Sequence, residues 1–184
     1  MKNLRLILPS LLLTGLMASG CWLISGQFTV SQDLPTPLDV DSQIVIVGAH
    51  IDLNTQSTYR DHKNDLKDLA DCALLGTFTN TGTGTLDILV YLTPAGSPLH
   101  TTKAQLDADA TKIKVWGPLT LGPGASKKVG WDESAGLFNA DGKQALLKEV
   151  KGDGDFALYA VGASAPYKLR LTDGVAVVVV DAGK

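Results

Sequence analysis

The chain has 184 residues and carries 16 Lys and Arg against 19 Asp and Glu, a net charge of −3 at pH 7. The cations are scattered, which excludes nucleic acid as a partner because phosphate binding needs clustered Lys and Arg. The length suits an export signal followed by one domain with a real hydrophobic core.

The first twenty residues have the build of a signal peptide. Lys2 and Arg5 precede an apolar run from Leu6 to Met17, and this run is too short to span a bilayer. Small residues follow at positions 18–20, directly before Cys21. The pattern predicts a cleaved signal peptide over residues 1–20.

The sequence around the cleavage site resembles the lipobox of bacterial lipoproteins, which lipoprotein signal peptidase reads. The matching residues are Met17, Ala18, Ser19, Gly20 and Cys21, and the common lipobox has Leu where this chain has Ala18. The resemblance implies that the signal is cut before Cys21 and that the Cys21 thiol is diacylated. Two or three acyl chains hold a domain on a membrane stably. Trp22 follows the cysteine, and by resemblance to enteric sorting this implies the outer membrane, if the cell has one.

The second cysteine leaves two alternatives open. If Cys21 is lipidated, Cys72 is unpaired and is expected to pack as a small buried hydrophobe in the run 72–75. In a non-lipidated protein, Cys21 and Cys72 would form a disulfide. The lipobox favours the first alternative.

The next residues divide into a tether and a domain. Residues 21–42 are polar, contain prolines and show no sustained period, which predicts a tether between the lipid and a domain at 43–184. A short strand at Phe28 and Val30 is the less favoured alternative. Gln43–Leu53 is β-branched and predicts the first strand. Residues 54–71 are highly charged, and a weak apolar stripe at Leu66, Leu69 and Ala70 predicts a loop with a short surface helix.

A hairpin is the most distinct predicted unit. Cys72–Asn80 and Leu86–Thr93 both alternate apolar and polar residues, and the six residues from Asn80 to Thr85 are rich in Thr and Gly. The pattern predicts two adjacent antiparallel strands joined by a tight turn.

The second half of the chain predicts more short strands with two interruptions by helix. Residues 101–110 predict a short helix or extended loop, and residues 134–138 and 141–150 predict helix. Val175–Val180 is apolar on both faces, so it is expected in the middle of a sheet or across the interior of a sandwich. The other predicted strands are Lys112–Trp116, 126–131, Phe156–Gly162 and Tyr167–Leu171, with turns at 122–124 and 153–155 and a hairpin turn at Asp173–Gly174.

Many short strands at close spacing predict an all-β fold with minor helix, an antiparallel β-sandwich. Residues 76–86 and 119–126 resemble immunoglobulin-like adhesion-type domains of bacterial surface proteins, with an Asn and Gly turn and then a Leu and Pro-Gly turn. The Cys–Trp–Cys pattern typical of antibody domains is not present in the sequence. The resemblance implies an immunoglobulin-like sandwich after the signal peptide.

Candidate metal ligands lie in the charged segment. His62, Asp65 and Asp68 have spacing that could hold a divalent cation weakly, but a zinc site needs three or four convergent ligands and lysines interrupt the cluster. A solvated loop is the favoured interpretation, and no cofactor is expected. Asp153–Asp155 could likewise help to bind calcium, but a plain turn is favoured.

The sequence gives no support for catalysis. It contains no Gly-x-Ser-x-Gly elbow, and its three histidines have no obvious serine or cysteine partner. Trp116 and Trp131 could line a ligand surface, but tryptophans in such segments are more often core residues, and this interpretation is favoured. The expected protein is a non-catalytic, lipid-anchored module of the cell envelope that binds the membrane through its lipid and has another envelope protein as its candidate partner. The alternative is a small-ligand or metal-binding lipoprotein that uses the His62 region.

Overall fold

The computed structural model describes residues 26–43, 46–94, 96 and 98–183. Strands and short helices alternate through these residues. The helices are α1 (Ser57–His62), α2 (Lys103–Ala108), α3 (Trp131–Leu137) and α4 (Ala140–Lys151), with 3-10 turns at Leu53–Thr55 and Lys63–Asp65. The strands are β1 (Gly26–Asp33), β2 (Leu38–Asp41), β3 (Gly48–Asp52), β4 (Leu66–Asn80), β5 (Leu86–Thr93), β6 (Ile113–Leu121), β7 (Ser126–Val129), β8 (Asp155–Gly162) and β9 (Lys168–Ala182).

The strands form two antiparallel sheets that bury a shared core. The five-stranded sheet has the order β1-β9-β4-β7, with β2 also paired to β9, and the four-stranded sheet has the order β3-β8-β5-β6. Phe78 of β4 and Trp116 of β6 are fully buried and stack across the two sheets with ring centroids 5.5 Å apart. The prediction of an all-β antiparallel sandwich with minor helix is confirmed.

The predicted hairpin between β4 and β5 is wrong in its pairing. β4 pairs with β7 and β9, whereas β5 pairs with β6 and β8, so the turn at 81–85 carries the chain from one sheet to the other. Leu74 and Phe78 on one strand and Ile88 on the other are all buried. Two strands that each have an apolar face can bury those faces against one another only when they lie in opposite sheets.

The predicted tether is also wrong from Gly26 onward. β1 pairs with β9 along its whole length, from Gly26 opposite Ala182 to Asp33 opposite Val175, and β2 pairs with β9 at residues 168–171. Val30 and Val40 lie in the core. The domain therefore includes residues 26–42 and does not start at Gln43. The sequence pattern did not predict these strands, because the outer face of β1 is polar and the β1–β2 connection contains prolines.

β9 is the central strand of the five-stranded sheet, as the doubly apolar run Val175–Val180 predicted. The hairpin turn predicted at Asp173–Gly174 is wrong, because β9 continues through it for 15 residues. Asp173 has a φ of 53°, Gly76 opposite has a φ of 145°, and the β4–β9 register shifts between Leu75 and Thr77. The positive φ that favours Asp and Gly here belongs to a β-bulge.

Two further segment predictions differ from the structure. The first predicted strand shortens to Gly48–Asp52, and Ile44 and Val45 lie outside the described residues. The helical stripe at Leu66, Leu69 and Ala70 belongs instead to β4, where Leu66 pairs with Ala182. Pairing with a long central strand outweighs a weak local helical pattern.

The helices of the second half occur close to where they were predicted. α2 begins with a capping box in which Thr102 and Gln105 bond each other's backbone N–H. α3 and α4 contact β4 and β6, so they cover one side of the sandwich. At Gly142 the α4 backbone lies directly on β6, because an added Cβ would meet the Val115 Cα at 2.5 Å.

Candidate functional site

The predicted attachment site lies outside the described residues. Cys21 and the recognition residues Met17, Ala18, Ser19 and Gly20 all precede Gly26, where the description begins. Among the described helices, none has the length and hydropathy needed to cross a bilayer.

The candidate metal ligands do not converge. The His62 ring lies 5.1 Å from the ring of Phe28, and the Asp68 carboxylate accepts a hydrogen bond from the Leu69 N–H at 2.8 Å. The backbone oxygen of Asp65 accepts from the Gly183 N–H at 3.0 Å. Within the described ranges, no three His, Cys, Asp or Glu residues form a group that could hold a metal ion. His62, Asp65 and Asp68 therefore do not form the weak metal site that the sequence suggested.

The turn at 153–155 is stabilised by its own side chains. The Asp153 carboxylate accepts from the Asp155 N–H at 3.1 Å, and Gly154 has a φ of 74°, a conformation that favours glycine. Asp155 lies 2.8 Å from His50 Nε2 on the neighbouring strand. This hydrogen bond is partly exposed, so its contribution to stability is small.

A second His–Asp pair holds the connection between β5 and β6. His100 Nε2 lies 2.9 Å from Asp109 Oδ2, and the His100 N–H donates to the hydroxyl of buried Tyr159 at 2.9 Å. Hydrogen bonds from Thr111 and then from His100 lower the pKa of Asp109 to about 2. The sequence reasoning missed this pair, and its only local signal is Asp109 two residues before Thr111, a spacing typical of an Asx turn.

Cys72 is a free thiol in the interior of the sandwich. It is fully buried, and burial raises its pKa to about 12. Because the thiolate is the reactive form, this group is chemically inert at neutral pH. The prediction of a buried structural thiol is confirmed.

The two tryptophans have different roles in packing. Trp116 is fully buried, and its Nε1–H donates to the backbone oxygen and the hydroxyl of Ser134 at 3.1 Å each. Trp131 is partly exposed, and its Nε1–H donates to Asp71 at 3.0 Å. Trp116 is thus a core residue, as favoured from the sequence, and cannot share a ligand surface with Trp131.

Asn80 joins two of the connections between the sheets. Its side-chain amide donates to the backbone oxygens of Gly84, Leu121 and Gly122 at 2.7, 3.2 and 3.0 Å, and its oxygen accepts from the Gly82 N–H at 3.0 Å. The side chain is almost completely buried. One residue therefore holds both glycine-rich turns that the sequence identified.

The interior holds a small cavity between the sheets. Its volume is about 30 Å³, its lining is almost wholly apolar, and Val30, Val90 and Leu146 contribute to it. Gln32 also lines it, and the Gln32 Oε1 atom is buried without a hydrogen-bond partner. A cavity of this size is on the scale of a water molecule and is too small for an organic ligand.

Comparisons with known proteins identify no family for the chain. No protein-family model matches, and no curated protein matches. Among solved structures, the chain is similar to dimeric latent PorU from Porphyromonas gingivalis with a TM-score of 0.30 and 9% sequence identity. The match covers 87% of this chain and 13% of that chain. A likeness this weak carries no argument about fold or function.

Proposed function

We propose that this protein is a non-catalytic lipoprotein of the cell envelope, anchored by acyl chains on Cys21 and acting as a structural or protein-binding module. The observation that carries the proposal is the N-terminal sequence, where the lipobox-like segment 17–21 follows a charged and then apolar signal. Trp22 favours the outer membrane in a cell that has one. The candidate partner is another envelope protein.

The position of β1 supports a domain held close to the membrane. Cys21 and Gly26 are separated by five residue steps, which span at most roughly 18 Å when fully extended. Since β1 begins at Gly26, the lipid would attach next to the folded sandwich rather than at the end of a long flexible tether.

Counting the thiols tests the modification, because the lipidated, unmodified and disulfide-linked forms of the chain differ in their number of free thiols. Cys72 is buried as a free thiol, so it should react with a maleimide only after unfolding. In the mature full chain we expect no reactive thiol under native conditions and one after denaturation without reductant. Two thiols after denaturation would mean that Cys21 is unmodified, and none would mean that it is joined to Cys72.

A paired substitution tests the anchor itself. Cys21→Ala should release the protein from the membrane fraction, because without the thiol there is no site for diacylation. Cys72→Ala is the matched control, and this variant should remain with the membrane. If Cys21→Ala stays in the membrane fraction after a high-salt wash, the anchoring proposal fails.

A further inference from the structure

The central strand β9 is apolar on both faces, but the core accounts for only one of them. Val178 and Val180 lie in the core between the two sheets. The alternate residues of the strand point to the opposite side of the five-stranded sheet, because successive side chains alternate across a strand. The core that the described residues form does not include these alternate valines, which are Val175, Val177 and Val179.

The neighbouring strand β4 extends this outer surface. Leu75 is directly opposite Val175 and Ala73 is directly opposite Val177, and facing residues of paired strands lie on the same side of a sheet. The five residues that share this surface are called the valine face: Ala73, Leu75, Val175, Val177 and Val179. Leu75, Val175 and Val179 are partly exposed, while the two residues between them are buried.

The valine face has no layer packed over it among the described elements. The main neighbours of β9 are its partner strands β1, β2 and β4, with β8 across the core. A contiguous apolar surface marks an interaction site more often than scattered apolar residues do.

Trp131 borders the valine face on the β4 side. Its Nε1–H donates to the Asp71 carboxylate at 3.0 Å, and Asp71 is directly opposite Val179. The indole is partly exposed. Tryptophan is enriched among the residues that dominate protein–protein binding, because it combines a large apolar surface with a polar N–H. The surface that Trp131 shares is therefore with the valine face.

Carboxylates lie at both ends of the valine face. Asp33 on β1 is directly opposite Val175, and Asp181 is the next outward residue of β9 after Val179. In the part of the chain that the structure describes, neither Asp33 nor Asp181 has an ion-pair partner. Asp68 is directly opposite Asp181, and like charges in this arrangement repel each other. A cation placed at that end would relieve the repulsion.

We propose that the valine face is the docking site for a partner protein that presents aliphatic side chains to the valines and a Lys or Arg to Asp68 and Asp181. The apolar contact removes surface from water, and the carboxylates select a basic partner over an acidic one. The proposal names a surface for the protein-binding function proposed above and rests on it. Membrane lipid is a poorer occupant, because anionic headgroups repel the same carboxylates.

Two synthetic peptides test the charge preference of the surface. Both alternate valine and threonine, and one is flanked by lysines where the other has glutamates. The protein is the chain 21–184 with Cys21→Ala, which contains every described residue. The lysine peptide should shift the amide NMR signals of Val175, Val177 and Val179, and the glutamate peptide should have a dissociation constant higher by roughly tenfold or more. Unchanged signals at millimolar lysine peptide, or equal binding of both peptides, would overturn the proposal.

Substitutions locate the binding on the valine face. Val179→Lys should raise the dissociation constant of the lysine peptide by roughly tenfold or more, because it removes apolar surface and adds a like charge. Ile113→Lys, at the exposed apolar residue of β6, is the matched control and should bind as wild type does. Circular dichroism shows whether each variant is folded. Equal binding by the two folded variants would refute the assignment.

Asp181→Asn tests the same surface with little risk to the fold, because it changes only a partly exposed side chain. It should reduce the preference for the lysine peptide over the glutamate peptide. An unchanged preference would contradict the role given to this carboxylate.

Two further measurements distinguish other occupants. Vesicles of phosphatidylethanolamine and phosphatidylglycerol should leave the NMR signals of the valine face unchanged, and the chain should sediment as a monomer. Shifts caused by vesicles would overturn the proposal in favour of a membrane contact, and self-association through this face would overturn it in favour of a second copy. Release of Cys21→Ala from the membrane fraction reports on the anchor alone, so failure of the anchor and failure of the docking site are distinguishable.

Discussion

At the residue scale, Asn80 shows how one buried amide can hold together two connections far apart in the sequence. Its partners lie four residues away at Gly84 and about forty residues away at Leu121 and Gly122. Backbone groups in such turns need partners once they are removed from water. Asn supplies both donors and an acceptor from a short side chain, which explains why this residue type occupies the site.

Asn80→Ala should lower the free energy of unfolding by about 3 kcal/mol, because several buried backbone groups would lose their partners at once. Chemical denaturation monitored by circular dichroism measures the change. Asn64→Ala, at an exposed residue, is the control and should change stability by less than about 0.5 kcal/mol. Equal effects of the two substitutions would show that the Asn80 contacts are not important for stability.

Asp109 predicts a pH dependence with a defined sign. Its folded pKa is lowered from 3.8 to about 2, so the folded state favours the charged carboxylate. This stabilisation is fully present above pH 4 to 5 and is lost as the pH falls toward about 2. Asp109→Asn should therefore be less stable than wild type by about 1 kcal/mol at pH 7.

The difference in stability between Asp109→Asn and wild type should shrink as the pH falls from about 5 to about 2, since the Asp109 carboxylate is increasingly protonated over this range. Urea titrations at several pH values measure the difference. Asp61→Asn, at an exposed position, is the control and should follow the wild-type curve. A constant difference between Asp109→Asn and wild type across this pH range would exclude the carboxylate charge as the cause.

At the element scale, the two helices α3 and α4 are positioned by contacts with strands. The Ser134 hydroxyl accepts a hydrogen bond from the Leu74 N–H of β4 at 2.6 Å, where β4 extends past its pairing with β7. In α4, Asn139 accepts from the Gly142 N–H at 2.6 Å and so caps the first turn. Both helices therefore act as the cover of the strand edges beside them.

Two glycine substitutions separate packing from helix propensity. Gly142→Ala should destabilise the fold by about 2 kcal/mol, because the new Cβ would collide with the backbone of Val115. Gly136→Ala, in α3 with nothing within 4 Å of the added Cβ, should stabilise it by about 0.5–1 kcal/mol. Thermal unfolding of both variants measures the contrast. Two shifts of the same sign would contradict the proposed packing of α4 on β6.

At the scale of the whole molecule, the N-terminal strands complete the five-stranded sheet. Val30, Leu34, Leu38 and Val40 are all buried in the common core. Each buried aliphatic side chain of this kind contributes about 1.5–3 kcal/mol, against a net stability of roughly 5–15 kcal/mol for a typical domain. Residues 26–42 are therefore part of the folded domain.

Removing the N-terminal residues tests whether β1 and β2 are part of the fold or only a tether. A chain that begins at Trp22 should unfold cooperatively. A chain that begins at Gln43 should lack a folding transition, because it leaves unpaired the edge of β9 that β1 and β2 occupy. Circular dichroism and limited proteolysis of the two chains measure the difference. If the shorter chain melted at the same temperature as the longer one, β1 and β2 would be dispensable and the tether interpretation would return.

Local sequence determined the strand faces and most of the element boundaries in the second half of the chain. The alternation at Phe156–Gly162 gave β8, and the doubly apolar run at Val175–Val180 gave a central strand, because side-chain polarity records directly which faces are buried. The burial of Cys72 followed from its apolar neighbours for the same reason. The lipobox-like segment before Gly26 is a linear motif, so its interpretation also needed sequence alone.

Tertiary structure alone decided which strands pair and where the polar contacts form. The alternation in β4 and β5 is compatible with a hairpin in one sheet and with two strands in opposite sheets. The second arrangement occurs because the core lies between the two sheets and both apolar faces are buried in it. β1 has a weak pattern of its own and becomes a strand because β9 offers it a paired edge. His100–Asp109 and the partners of Asn80 likewise depend on contacts between distant segments, and residue periodicity carries no information about such contacts.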